Sequence, residues 1–354
     1  MRLPGAYVAR LPLGLLIAMA GAGSALAQPA KDAGWARVSE DDRAIKVETD
    51  KLEAVIPKKD PKQWMTGIEK GSFLDKATGF REVGDGLMVV DWLMEPGSDE
   101  AYRDQLTGDL PYVFNNLVHG KRAKRSIEGP QICTQAKELT PEVVRGSDFV
   151  AVKQSYRYKL AAPGKKAGSL WEQTLVFPKG TRYFLSSDRV TTVNDSPALF
   201  LRLDMPGHIK HQGADTFSEV YLSYRGRIPA AEFNQDFAPD DKLDYRREHD
   251  AVPHRFIRAY HLRDPKTGKD GPWLAGMTLD PSIPSEAWCH QRGYVCMIEE
   301  FGGRPVRAGD SFSAAFVVGY FDSIEEMNRV YDRYRGATGL TADAGGWRWV
   351  KGSK

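Results

Sequence analysis

Along most of the chain the apolar positions recur every second residue, the period of a strand with one face in a core. Residues 45–50 (Ile-Lys-Val-Glu-Thr-Asp) and 52–56 (Leu-Glu-Ala-Val-Ile) alternate in this way, and Pro57 ends the second run. Residues 73–80 read as a strand entering a Lys-Ala-Thr-Gly turn. Residues 87–94 are apolar almost throughout, between Gly86 and Pro96-Gly97, which predicts a strand buried on both faces. Strands follow at 149–158, 170–177 and 183–193, separated by a polar hairpin turn at 163–168 and by Pro178-Lys179-Gly180.

Residues 199–227 read as a strand, a turn at Pro206-Gly207 carrying His208, Lys210 and His211, and a second strand presenting Glu219, Tyr221 and Tyr224. Later strands are expected at 255–262, 273–279, 294–300 and 311–320. Residues 95–130 are less regular, and the polar, Pro- and Asp-containing stretch 228–250 reads as a long connection or lid. One helix stands out near the C-terminus. Ser323 caps it, Glu326 completes a capping box, and Ile324, Met327, Val330, Tyr331 and Tyr334 form its apolar face. Short strands at this spacing, rich in aromatic and β-branched residues, argue for a sandwich or barrel rather than βαβ units.

The first residues belong to a different pattern. Arg2 and Arg10 precede and flank a short apolar run at 11–20, and Ala25-Leu26-Ala27 is a small-x-small cleavage signature. Residues 1–27 are therefore expected to be a signal peptide and the mature chain to be periplasmic or secreted, with no membrane span. Residues 28–43 form a flexible lead-in, and 44–350 a single β-sandwich domain. Losing Arg2 and Arg10 takes the formal charge from +2 to zero, so bulk attraction to nucleic acid or an anionic membrane is not expected. Export permits disulfides. Cys289 and Cys296 flank Gly293 and a local hairpin would bring them together, while Cys133 would stay free; the spacing leaves bridge and free thiols both open.

Three segments carry a resemblance: Val47-Glu48-Thr49-Asp50-Lys51-Leu52-Glu53-Ala54, Phe73-Leu74-Asp75-Lys76-Ala77-Thr78-Gly79, and Gly303-Arg304-Pro305-Val306-Arg307-Ala308-Gly309-Asp310. In these strand and turn patterns the chain resembles galactose-mutarotase-like proteins, a superfamily that includes sugar epimerases and the β-domains of polysaccharide lyases and glycoside hydrolases. The resemblance implies an all-β fold, a large twisted antiparallel double sheet with one short C-terminal helix, acting on carbohydrate. No catalytic signature of a named family carries over residue by residue.

Candidate chemistry concentrates at 199–227. β-Elimination on a uronic-acid-containing glycan needs a group to hold the carboxylate, a base for the α proton and an acid for the leaving oxygen. Arg202, Lys210, Arg225 or Arg258 would hold the carboxylate, with His119 on a basic rim. His208 or His211 would be the base, and Tyr221, Tyr224 or Tyr260 the acid. His208, His211 and Glu219, with or without His261, also have the donor types for a divalent metal. Hydrolysis by two carboxylates, drawn from Asp204, Asp215 and Glu219, or epimerisation on the same fold are alternatives, as is non-catalytic glycan binding. A Gly-x-Ser-x-Gly elbow, a phosphate-binding glycine loop and a Cys-x-x-Cys pair are absent from the sequence. The leading expectation is an acidic-glycan lyase with one cleft lined by His208, His211, Tyr221 and an arginine.

Overall fold

In a computed structural model the described residues are 34–59, 66–81, 84–106, 123–211, 216–238, 242–291 and 293–352. The expected signal peptide, His119 and Asp215 lie outside them. Strands dominate, in the order β1 (Ala36–Glu40), β2 (Ala44–Thr49), β3 (Leu52–Pro57), β4 (Leu74–Asp75), β5 (Gly84–Pro96) and β6 (Lys124–Gly129). A single-turn helix α1 (Ile132–Gln135) precedes β7 (Glu142–Arg145), β8 (Phe149–Arg157), β9 (Leu160–Ala161), β10 (Leu170–Pro178), β11 (Tyr183–Thr191) and β12 (Ser196–Lys210). Next come β13 (Phe217–Leu222), β14 (Gly226–Pro229), β15 (Tyr245–Arg246), β16 (Phe256–Arg263), β17 (Asp270–Thr278), β18 (Pro284–Gln291), β19 (Tyr294–Val306) and β20 (Ser311–Phe321). Helix α2 (Ile324–Tyr334) and the hairpin β21 (Ala337–Asp343) and β22 (Gly346–Lys351) complete the chain.

Two large antiparallel sheets result. Nine strands run in the order β14-β13-β16-β17-β20-β11-β10-β8-β7, and seven in the order β15-β18-β19-β12-β5-β6-β9. The alternating side chains of both inner faces meet in one apolar core, with Leu201, Leu203, Val295 and Met297 from the seven-stranded sheet against Phe184, Val220, Leu274 and Phe316 from the nine-stranded one. Each such side chain taken fully out of water contributes about 1.5–3 kcal/mol. The β1–β4 sheet adds Ile45, Val47, Leu52 and Ala54 to the same core. The all-β architecture expected from the two-residue period is present, and so is the antiparallel double sheet that the resemblance implies.

Helix α2 covers the outer face of the nine-stranded sheet. Its buried Met327, Val330 and Tyr331 pack on Ile257, Ala259, Met277 and Val317. Ser323 Oγ accepts from the Glu326 N–H at 3.2 Å, and Glu326 Oε2 accepts from the Asp322 N–H at 2.7 Å, so two otherwise unpaired N-terminal donors are satisfied.

The core is not purely apolar. Arg258 on β16 and Glu299 on β19 are both fully buried and bridge the sheets at 3.0 Å. Arg258 Nη1 also donates to the Ile298 carbonyl at 2.6 Å, and Thr278 Oγ1 donates to Glu299 at 2.8 Å. A second polar row crosses three neighbouring strands of the other sheet in register, Gln154 on β8, Gln173 on β10 and Asp188 on β11. Gln154 Nε2 donates to Gln173 Oε1 at 2.7 Å, and Asp188 Oδ1 accepts from Gln173 Nε2 at 3.1 Å and Trp171 Nε1 at 2.8 Å. Burial pushes the Asp188 carboxyl up to about 7, against the two donors.

Two expectations are revised, one strand is added and one open alternative is decided. Residues 199–211 are not strand and turn: β12 runs unbroken through Pro206-Gly207 to Lys210. Residues 284–291, whose pattern is masked by two small apolar residues, Ala287 and Cys289, form a full strand. The described part of 228–250 is no free lid, because Phe233 and Phe237 are buried in the main core and Phe237 exchanges backbone hydrogen bonds with Gln291. Cys289 faces the core while Cys296, on the adjacent strand, faces outward. All three cysteines are buried and none is in a disulfide, so the Cys289–Cys296 bridge does not form. Among the described residues no helix is long and apolar enough to cross a membrane.

Truncating one member of a buried ion pair strands the other. Arg258→Met is expected to destabilise the protein by about 3–5 kcal/mol, and Arg258→Met/Glu299→Leu to recover a large part of that loss; chemical denaturation of the three proteins checks it. Asp188 gives a pH signature. Its folded carboxyl binds its proton more tightly than the unfolded one, so stability is greatest below the ordinary Asp range and falls as pH rises towards 7. Asp188→Asn keeps an acceptor for both donors and is expected to remove up to about 4 kcal/mol of that decline, read from unfolding curves between acid and neutral pH.

Candidate functional site

The outer face of the seven-stranded sheet is lined by ionisable and aromatic side chains where a solvated strand face would carry scattered polar ones. The two-residue period places them. On β19, Val295, Met297, Glu299 and Phe301 point into the core, so Tyr294, Cys296, Ile298 and Glu300 point outward. On β18 the same alternation presents Glu286, Trp288 and His290, and on β12 it presents Arg202, Asp204 and His208. Arg202 lies directly opposite Glu300 in the β12–β19 register, and His290 and His208 both lie opposite Cys296, one on each flank.

A bulge makes this constellation compact. Asp204 pairs with Ile298 and His208 with Cys296, so four steps along β12 match two along β19. In an unbulged strand Asp204 and His208 would stand about 13 Å apart at roughly 3.3 Å per residue. Here His208 Nε2 lies 3.0 Å from Asp204 Oδ2. The bulge needs Gly207, because a Cβ there would meet the Gly86 carbonyl oxygen of β5 at 2.0 Å. It is braced from behind by Tyr260, whose hydroxyl, in the core, donates to the carbonyls of Gly207 at 3.2 Å and Val295 at 3.3 Å.

Charges on this face are paired. Arg202 donates to Glu300 Oε1 through Nε at 3.2 Å and Nη2 at 2.9 Å, and its guanidinium carbon lies 5.1 Å from the centre of the Trp288 ring. Lys124 Nζ lies 2.6 Å from Glu286 and 2.5 Å from Glu300. Burial raises the Glu300 carboxyl, but Lys124 and Arg202 outweigh it and hold the group below the usual range. Asp91 on β5 is different. Burial, with Asp204 nearby, pushes its carboxyl up to about 8 despite Arg202, whose Nη1 is 3.9 Å away. Its Oδ1 has no hydrogen-bond partner among the described residues.

At the other end of the face, Tyr294 stands between two imidazoles, with ring centres 5.2 Å from His208 and 5.6 Å from His290, both edge to face. Below them Cys296 Sγ donates to Asp204 Oδ1 at 3.4 Å. Burial and Asp204 push the Cys296 thiol well up, and Asp204 holds the His208 imidazolium form against burial. Asp204, His208 and Cys296 bring a carboxylate oxygen, a ring nitrogen and a sulfur within 4.8 Å of one another.

Of the residues singled out from sequence, this face unites Arg202, Asp204 and His208, with Lys210 exposed at its edge opposite Tyr294 in the register. It does not unite the rest. His211 turns the other way and stacks on the core residue Phe217 at 3.9 Å. Tyr260 and Arg258 lie within the core and support the site's floor, where neither can touch a substrate. Tyr221 and Glu219 do share a face, but that face is the outside of the nine-stranded sheet. There Tyr221 packs edge-on to Trp273, and Glu219 is held by Arg227 at 2.6 Å and His261 at 3.3 Å. Tyr224 packs on Tyr245 and Phe256, and Arg225 is an exposed turn residue donating to the Asp244 carbonyl at 2.8 Å. The expected metal set His208, His211 and Glu219 is therefore dispersed, as is the cleft of His208, His211 and Tyr221. Sequence reasoning placed Lys124 on a basic rim but missed Asp91, Glu286, Trp288, His290, Tyr294 and Glu300. The period-2 series Glu286, Trp288, His290 and Tyr294, Cys296, Ile298, Glu300, read as facing strands, was the signal that would have found most of them.

Gly207→Ala is expected to cost about 1–3 kcal/mol, because β12 must move off β5 to admit the methyl group. It should also open the Asp204–His208 contact, detected as a changed His208 ring resonance in NMR spectra of the folded variant.

No family model matches the chain, and no curated protein matches it. Solved structures do share its general form. A galactose 1-epimerase from Lactobacillus acidophilus is 9% identical, with 81% of this chain and 99% of that one covered at a TM-score of 0.43. A structure assigned as an aldose 1-epimerase from Klebsiella pneumoniae is 10% identical, covering 84% and 86% at a TM-score of 0.47. An α-galactosidase from Geobacillus stearothermophilus is 11% identical, covering 86% of this chain and 44% of that one at 0.39. The chain thus bears a weak resemblance to galactose-mutarotase-like proteins, and at these scores nothing about its chemistry follows from theirs.

Proposed function

We propose that this chain is an exported protein that binds carbohydrate on the outer face of the seven-stranded sheet and cleaves a uronic-acid-containing glycan by β-elimination. The observation that carries this reading is Trp288, whose indole lies beside the Arg202 guanidinium in a row of buried ionisable groups, with no hydrogen-bond partner for its Nε1 among the described residues. Trp288 is 1% exposed and Arg202 2%, so the pair suits an acidic sugar through a guanidinium held in a dry setting for the sugar's carboxylate, with the indole packed beside it. Arg202 Nη1 is the donor placed for that carboxylate. Asp91, kept protonated at neutral pH, does not repel it and has a proton to donate to it.

The reaction then needs two proton transfers. The C5–H bond breaks to a base, the electron pair forms the C4–C5 double bond, and the C4–O bond breaks as the leaving oxygen takes a proton. His290 and Tyr294, in edge contact at the other end of the face, are assigned as this base and acid, acting on a ring further along the chain than the one whose carboxylate Arg202 holds. The export assignment rests on the basic, then apolar, then Ala-Leu-Ala pattern of residues 1–27.

Mixing the purified protein with polygalacturonate, alginate and glycosaminoglycans is expected to generate the ultraviolet absorbance of an unsaturated uronate. Tyr294→Phe and His290→Ala are expected to lower kcat by about 100-fold or more, and Trp288→Ala mainly to raise KM. Saturated products would identify hydrolysis in place of elimination. Binding without turnover would identify the glycan-binding alternative, and neither binding nor turnover by the folded protein would overturn the reading.

A further inference from the structure

We infer that Asp204, His208 and Cys296 form a binding site for a thiophilic divalent metal of the zinc type. The inference stands on donor chemistry and geometry, and does not rest on the glycan reading above.

Three observations support it. First, the three donors converge within 4.8 Å although they come from two strands, and they do so because β12 carries a bulge between Asp204 and His208. Carboxylate, imidazole and thiol together are the donor set of borderline-soft ions, since hard cations such as Ca²⁺ and Mg²⁺ take oxygen ligands alone. Second, the set is buried: Asp204 is 4% exposed, His208 7% and Cys296 0%. A buried carboxylate, imidazole and thiol gain from a cation that replaces the water they have lost. Third, Asp91 lies near the same groups, 7% exposed, with a carboxylate oxygen that has no hydrogen-bond partner among the described residues. It is placed to accept a hydrogen bond from a metal-bound water, outside the three-donor set itself.

The protons balance simply. In the metal-free protein the Cys296 thiol donates its hydrogen to Asp204 Oδ1, and His208 Nε2 faces Asp204 Oδ2. The metal takes the place of the thiol proton, and of the Nε2 proton when His208 carries one there. Sulfur and nitrogen each then give a lone pair to the ion, and one or two protons are released to solvent. No oxidant or reductant is involved.

Cys289 supplies an internal control, since it belongs to the neighbouring strand but points into the core. The experiment is titration of the purified, chelator-treated protein with Zn²⁺ by calorimetry, and with Co²⁺ by absorption spectroscopy. One equivalent of each is expected, with a thiolate-to-cobalt charge-transfer band in the Co²⁺ spectrum. Cys296→Ser should remove the band and weaken Zn²⁺ binding by more than about tenfold, His208→Ala should weaken binding comparably, and Cys289→Ser should leave both readouts unchanged. Failure of the wild-type protein to bind either ion, Co²⁺ binding without the sulfur band, or a band lost in Cys289→Ser but kept in Cys296→Ser would each overturn the site. The wild-type Co²⁺ spectrum decides the question even if a variant fails to fold. Metal binding without glycan turnover would leave this site standing and the lyase reading fallen, and turnover without metal binding would do the reverse.

Discussion

A charge pair sealed between two sheets sets the terms for everything on the surface above it. Arg258 reaches across the core from β16 to Glu299 and to the Ile298 carbonyl of β19. Two residues along the same strand, Tyr260 reaches across to the Gly207 and Val295 carbonyls. Apolar packing alone permits sheets to slide, because one methyl group fits a hole nearly as well as another. A guanidinium and a phenol that must each find their acceptors in a dry core permit one register, because every alternative leaves a buried polar group unpaired. The two side chains thereby hold β19 and the β12 bulge at one depth and one offset relative to the nine-stranded sheet.

That offset matters because the site is built from the other side of the same strands. Glu299 and Glu300 are consecutive, and the strand period sends the first to Arg258 in the core and the second to Arg202 and Lys124 on the outer face. A slip of one residue would exchange them, burying Glu300 without its cations and exposing Glu299. The fold therefore ties the integrity of its core to the arrangement of its candidate site. The bulge at Met205-Pro206-Gly207 adds the one irregularity the site needs, shortening β12 so that Asp204 and His208 touch.

Electrostatically the face is neither a basic patch nor an acidic one. Lys124, Arg202, Glu286 and Glu300 compensate one another, while Asp91 is held protonated by burial. Such a surface discriminates by geometry more than by attraction at a distance.

The sequence by itself determined the strand content, the turn at 76–79, the capped helix at 324–334 and the faces within single strands. Glu219 with Tyr221, His208 opposite His211, and Tyr260 opposite His261 all follow from the two-residue period. Period 2 states which residues share a face, but not which face is covered. Tyr260 and Arg258 were legible as neighbours, yet only the packing of one sheet on the other shows them buried beneath the site. The strand 284–291 escaped notice because Glu286, Trp288 and His290 alternate with small residues that carry little apolar signal, although its partner β19 follows directly in the chain. The meeting of Asp204 with His208 and of Arg202 with Glu300 depends on a bulge and on a pairing across about a hundred residues, and local sequence pattern encodes neither. Local sterics and solvation, which act within a few residues, fixed the elements. Register and burial, which are set by contacts distant in sequence, decided where the chemistry gathers.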